Sequence, residues 1–128
     1  MSETFIKIAR GTNPKFLITV LNDDTTPVDL TDVLGYGLSI FQKGGKELVR
    51  FSKNTIAGWE LATPEDEAQG IFSVIIPHKY TREGELAKYY AEVLLQTNDG
   101  INTFISKNPG GKAFIELIDS PTKTVTTL

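Results

Sequence analysis

Leu86-Ala87-Lys88-Tyr89-Tyr90-Ala91-Glu92-Val93-Leu94-Leu95-Gln96 is the longest run in the chain that reads as one strand. Tyr89, Ala91, Val93 and Leu95 alternate along it, so an extended backbone places all four on one face. The two residues of Tyr89-Tyr90 then face opposite ways, one ring inward and one outward. Asn98-Asp99-Gly100 follows, with residues that tolerate positive φ, and turns the run into Ile101 to Ser106. This hairpin sets the style of the whole chain.

Working outward, runs of strand length recur between short clusters of turn residues. Upstream lie Thr4 to Ala9, Phe16 to Leu21, Tyr36 to Gln42, Lys46 to Ser52, Ile56 to Ala62 and Ile71 to Ile76. Gly44-Gly45 joins two of them as a second hairpin. Downstream, Asn108-Pro109-Gly110-Gly111 leads into Ala113 to Ile118. No segment carries an i, i+3, i+4, i+7 apolar stripe over three turns, and the best helical stretch is one acidic turn, Pro64 to Ala68. The expectation is all-β: an immunoglobulin-like antiparallel β-sandwich of about seven to nine strands. Residues 1–119 form a single domain, and 120–128 form an extended polar tail that either stays loose or adds a strand to a neighbour.

Composition excludes more than it names. At 128 residues the chain has room for one domain and buries roughly two-thirds of its unfolded surface. Absence of cysteine removes disulfides, thiolate metal sites and cysteine nucleophiles. A net charge of -3 with a pI near 5.1 lacks the basic excess of a protein that grips phosphate backbones, so nucleic acid is not an expected partner. The start, Met1-Ser2-Glu3-Thr4-Phe5, shows no signal peptide, and no apolar run is long enough to span a bilayer. No membrane partner is expected.

Motifs with chemistry are few. Gly44-Gly45-Lys46 and Gly110-Gly111-Lys112 look like the end of a phosphate-binding loop, but Glu47 and Ala113 follow where Ser or Thr is required. Both read as turns. His78, the one histidine, follows Pro77 at the end of an apolar run, with no recognisable nucleophile motif to serve. It reads as a strand-end surface residue. Asn22-Asp23-Asp24 with Asp29 and Asp32 fails the calcium-loop spacing, since Val33 stands where the closing glutamate belongs. That group reads as an Asx turn, and Glu65-Asp66-Glu67 reads as a solvated helical turn. No catalytic residue, cofactor site or metal site emerges, and no enzyme is expected.

The aromatics divide into core and surface. Tyr36, Trp59 and one of Tyr89 and Tyr90 sit inside strand runs, where rings pack the core or a neighbouring strand. Tyr80 and the outward ring, taken as Tyr90, are candidate surface contacts. Pro121 and Val125 in the tail complete the candidate interaction surface.

The order of the blocks carries a resemblance. Thr26-Pro27-Val28-Asp29-Leu30-Thr31, then Gln69-Gly70-Ile71-Phe72-Ser73-Val74, then Lys88-Tyr89-Tyr90-Ala91-Glu92-Val93 resemble the immunoglobulin-like N-terminal domain of phage baseplate and tail proteins, the upper baseplate protein family. The likeness covers residues 8–118. Gly84 lies five residues before Tyr89, where that family often has glycine directly before its paired tyrosines. The resemblance implies a non-enzymatic structural or adaptor protein of a phage or phage-like virion, in tail or baseplate. It would be assembled in the host bacterial cytoplasm and bind other virion proteins as a homo-oligomer or symmetric array. Family members commonly continue into a coiled coil or receptor-binding module, so a chain ending at Leu128 is expected to be an anchor or adaptor domain alone, or a separate small virion protein. The alternative is a carbohydrate-binding module for host-surface glycan, which needs exposed rings near Tyr80 and Tyr90.

Overall fold

Alternation of apolar and polar residues predicts strands that each offer one face to a core, and the computed structural model, which describes residues 3–96 and 104–119, has that form. In chain order the strands are β1 (Ile6–Ala9), β2 (Lys15–Thr19), β3 (Tyr36–Phe41), β4 (Glu47–Ser52), β5 (Glu60–Leu61), β6 (Thr63–Asp66) and β7 (Ile71–Ile75). A helix α1 (His78–Glu83) precedes β8 (Lys88–Gln96), β9 (Phe104–Ser106) and β10 (Lys112–Ile118). Leu30–Asp32 and Glu67–Gln69 form 3₁₀ turns.

The strands make two sheets. The larger runs β1-β10-β8-β3-β4-β5, with β9 also on β8, and the smaller runs β2-β7-β6. They face each other across one core in which Leu38, Ile40, Phe51, Phe72, Tyr89, Ile115 and Leu117 are almost wholly buried. Tyr36 of the larger sheet meets Phe72 of the smaller with ring centroids 4.8 Å apart. Phe114 meets Phe16 at 4.7 Å. The all-β sandwich expected from the sequence is what forms.

Several details differ from expectation. The described residues contain ten strands, because the run expected over Ile56 to Ala62 becomes β5 and then continues as β6 in the other sheet. Buried Ala62, whose N–H donates to the Ser52 carbonyl at 2.8 Å, marks the step between layers. Two pairings are parallel, β1 with β10 and β4 with β5. Pro64 lies in edge strand β6, where a missing N–H costs no ladder bond. The helical turn begins only at Glu67. His78 is the first residue of α1, which runs between Pro77 and Gly84. The turn Asn98-Asp99-Gly100, the start of the run Ile101 to Ser106, and the tail with Pro121 and Val125 lie outside the described residues.

Asn108 mends a gap in the larger sheet. Strand β8 pairs with β10 over its first half and with β9 over its last residues. Between them, the Asn108 side chain donates to the Ala91 carbonyl at 3.0 Å and accepts from Val93 N–H at 2.7 Å. A side-chain amide thus stands in for a missing stretch of backbone, satisfying groups that would otherwise be costly to bury.

Candidate interaction surface

The two tyrosines singled out from sequence lie apart. Tyr80 is half-buried on α1, and its hydroxyl donates to Glu60 Oε2 at 2.9 Å. Burial, then the hydrogen bond and charge of Glu60, push its phenol above the ordinary value. Tyr90 faces outward from the larger sheet as the alternation requires, yet it is only 9% exposed. Phe5 packs edge-on against it at 5.4 Å, Lys43 Nζ sits 4.5 Å from its centroid, and its hydroxyl donates to Glu3 Oε1 at 2.7 Å. Tyr89 points into the core and donates to the Glu85 carbonyl at 2.7 Å.

No aromatic ring among the described residues is exposed. Trp59, expected to pack along a strand, instead follows a turn closed by its own N–H on the Ile56 carbonyl at 3.0 Å. Half-buried, it lies 5.1 Å from Phe104 with Arg50 over its other side at 5.2 Å. The rings therefore serve packing, and none offers a bare stacking platform.

The acidic groups have local duties. Asp24 Oδ1 accepts from Thr26 N–H at 3.1 Å and from its hydroxyl at 2.6 Å, an Asx turn as expected. Asp29 caps the first 3₁₀ turn by accepting from Thr31 N–H at 3.0 Å. These Thr26 and Thr31 hydrogen bonds hold the Asp24 and Asp29 carboxyls below the usual aspartate value. In the expected solvated turn at Glu65-Asp66-Glu67, Glu65 and Asp66 are exposed, but Glu65 and Glu67 also hold partners. Glu65 accepts from the buried Ser73 hydroxyl at 2.6 Å and faces Lys15 Nζ at 3.8 Å. Glu67 accepts from Tyr36 at 2.6 Å and pairs with Lys53 at 2.9 Å. Among the described residues no group of three or more His, Asp or Glu side chains is placed to hold a metal ion.

The distinctive surface is the open side of β2. Ile76 N–H donates to the Pro14 carbonyl at 3.0 Å, and Val20 N–H donates to Gly70 at 2.8 Å. Hydrogen-bonded pairs alternate along an antiparallel ladder. Residues 16 and 18 therefore bond inward to β7, while Lys15, Leu17 and Thr19 turn their N–H and C=O groups outward. Leu17, at the centre, is 65% exposed, and Ile75 beside it on the same face is 51% exposed.

Among the described residues, the edges at β6, β5 and β1 carry devices that discourage pairing. Strand β6 has Pro64, two acids and a bulge, β5 is two residues long, and β1 carries exposed Lys7. Strand β2 is regular and has none of these beyond Lys15. Below its open side the larger sheet extends further, and the uncovered floor forms adjoining grooves of about 230 and 260 Å³. Ile18, Val93, Phe114 and Lys112 line the first, with Asn108 between. Sequence gave no sign of this surface, because edge position depends on topology rather than on any local pattern.

Fold and surface together define a small all-β sandwich in which, among the described residues, β2 presents a regular and unguarded sheet edge. A scan against protein-family models and a search of the curated proteins each return no match.

Proposed function

We propose that the chain is a non-enzymatic structural or adaptor protein of a phage or phage-like virion, acting in tail or baseplate through protein–protein contacts. The observation that carries this reading is the open β2 edge with exposed Leu17 and an apolar floor beside it. Such an edge supplies backbone affinity to an extended partner and side-chain pockets for register. The block order Pro27-Val28-Asp29-Leu30-Thr31 to Tyr89-Tyr90-Ala91-Glu92-Val93 supports the virion setting. The partners are other virion proteins and further copies of the same chain, assembled in the host bacterial cytoplasm. The glycan reading needs an exposed ring, and among the described residues none is exposed.

The test is capture of proteins encoded beside this one by the tagged full chain, at physiological salt. Binding of a tail, baseplate or capsid protein supports the reading. Silence against all of them sinks it.

A further inference from the structure

We infer that the open edge of β2 receives residues 120–128 of a second copy, so that copies join head to tail by strand donation. This stands on the β2 edge and the sequence after Asp119, and does not need the virion setting.

An added strand has a floor to rest on. In the larger sheet β10 lies under β2, since Phe16 of β2 sits over Phe114 of β10, and β1 continues outward beyond it. Ile6 and Ile8 pair in register with buried Ile115 and Leu117, so they share the inward face, and Ile6 is nevertheless 50% exposed. One extended segment laid beside β2 covers this shelf and satisfies Lys15, Leu17 and Thr19. The space suits a single strand.

The segment after Asp119 has the required chemistry and length. Thr122, Thr124, Val125, Thr126 and Thr127 are β-branched, and 120–128 contains no Gly and no acid. Nine extended residues reach about 30 Å, against about 17 Å for a five-residue strand.

The chain's own tail is barred by the path. Strand β10 leaves the sheet inside β1, with Arg10 N–H on the Ile118 carbonyl at 2.9 Å and the Arg10 guanidinium 4.0 Å from Asp119. The connection from β1 to β2 spans the same end, tied to α1 where Thr81 donates to the Thr12 carbonyl at 2.7 Å. A tail reaching its own β2 would have to cross that connection, which folds avoid. Donation to a neighbour needs no crossing, and such a heterologous contact closes into a ring or continues as a filament.

The chain has no cysteine, so engineered pairs report cleanly. Full-length double variants carry Leu17→Cys with one of Thr124→Cys, Val125→Cys or Thr126→Cys, and are oxidised and run on non-reducing gels. A ladder of covalent dimers and larger species is expected from at least one pair. Val125→Pro, in the otherwise natural chain, is expected to reduce the light-scattering mass to that of a single chain. An intrachain disulfide only, no disulfide from any pair, covalent dimers from Leu17→Cys alone, or an unchanged mass in Val125→Pro would each overturn the inference. Strand donation with no captured virion protein would leave it standing while removing the proposed setting.

Discussion

The Tyr36 hydroxyl donates to Glu67 Oε2 at 2.6 Å, fastening the first residue of a central strand in one sheet to the turn that leads into the other. Lys53 Nζ, 2.9 Å from the same carboxylate, completes a partly buried trio. A phenol, a carboxylate and an ammonium thus bridge two layers that otherwise meet through apolar contact.

Tyr36→Phe keeps the ring against Phe72 and removes only the hydroxyl. Loss of a hydrogen bond to a charged acceptor should cost about 1.5 kcal/mol, moderated because Lys53 still holds Glu67. A urea titration should show a lower midpoint with an unchanged slope.

The trio sets a pH dependence with two limbs. Hydrogen bonds from Tyr36 and Lys53 hold the Glu67 carboxyl below its ordinary 4.5. Its contribution is therefore fully present above pH 4.5 and is lost as pH falls through the lowered value. Burial, then the Glu67 hydrogen bond and charge, push the Tyr36 phenol well above its ordinary 10.0. The folded state then holds a proton that the unfolded chain has released, so stability falls as pH rises above 10. Stability measured across pH should show the acid limb flattened in Glu67→Gln and the alkaline limb flattened in Tyr36→Phe.

Gly70 has φ +75°, and a Cβ there would lie 2.6 Å from the Val20 carbonyl oxygen and 2.9 Å from that of Val28. Gly70→Ala therefore combines a left-handed backbone with a collision against main-chain atoms. A loss of about 2 kcal/mol or more is expected, read as a drop in melting temperature.

Thr81 is fully buried on α1, and its hydroxyl donates to the Thr12 carbonyl at 2.7 Å and to the His78 carbonyl at 3.1 Å. Thr81→Val preserves shape and leaves the Thr12 carbonyl without this donor. The expected cost is about 1 to 2 kcal/mol, with faster amide exchange in α1 and in the 10–14 connection than elsewhere.

Strand positions were legible where alternation was long and turn residues were plain. The run opening at Leu86 contains β8, and Tyr36 to Gln42 contains β3. Helix α1 escaped because six residues are too few for a periodic stripe, although Pro77 before it and Gly84 after it are the usual punctuation. Pro64 misled in the opposite direction, since its fixed φ suits an edge strand as well as a first helical turn. Ile56 to Ala62 looked like one strand, but Gly58 at φ +86° turns it before Glu60. The parallel pairing of β1 with β10 joins residues about a hundred positions apart, beyond any local signal. Alternation correctly split Tyr89 from Tyr90, but could not show that Phe5 and Lys43 would cover the outer ring.

That parallel pairing also decides how the molecule bears a load. Strand β1 begins at one end of the sandwich, and β10, running beside it in the same direction, finishes at the other. Tension applied between the start of β1 and the end of β10 slides these neighbours past each other, stressing their cross-strand bonds together rather than peeling them one at a time. A sandwich built this way resists stretching along the axis of β1 and β10.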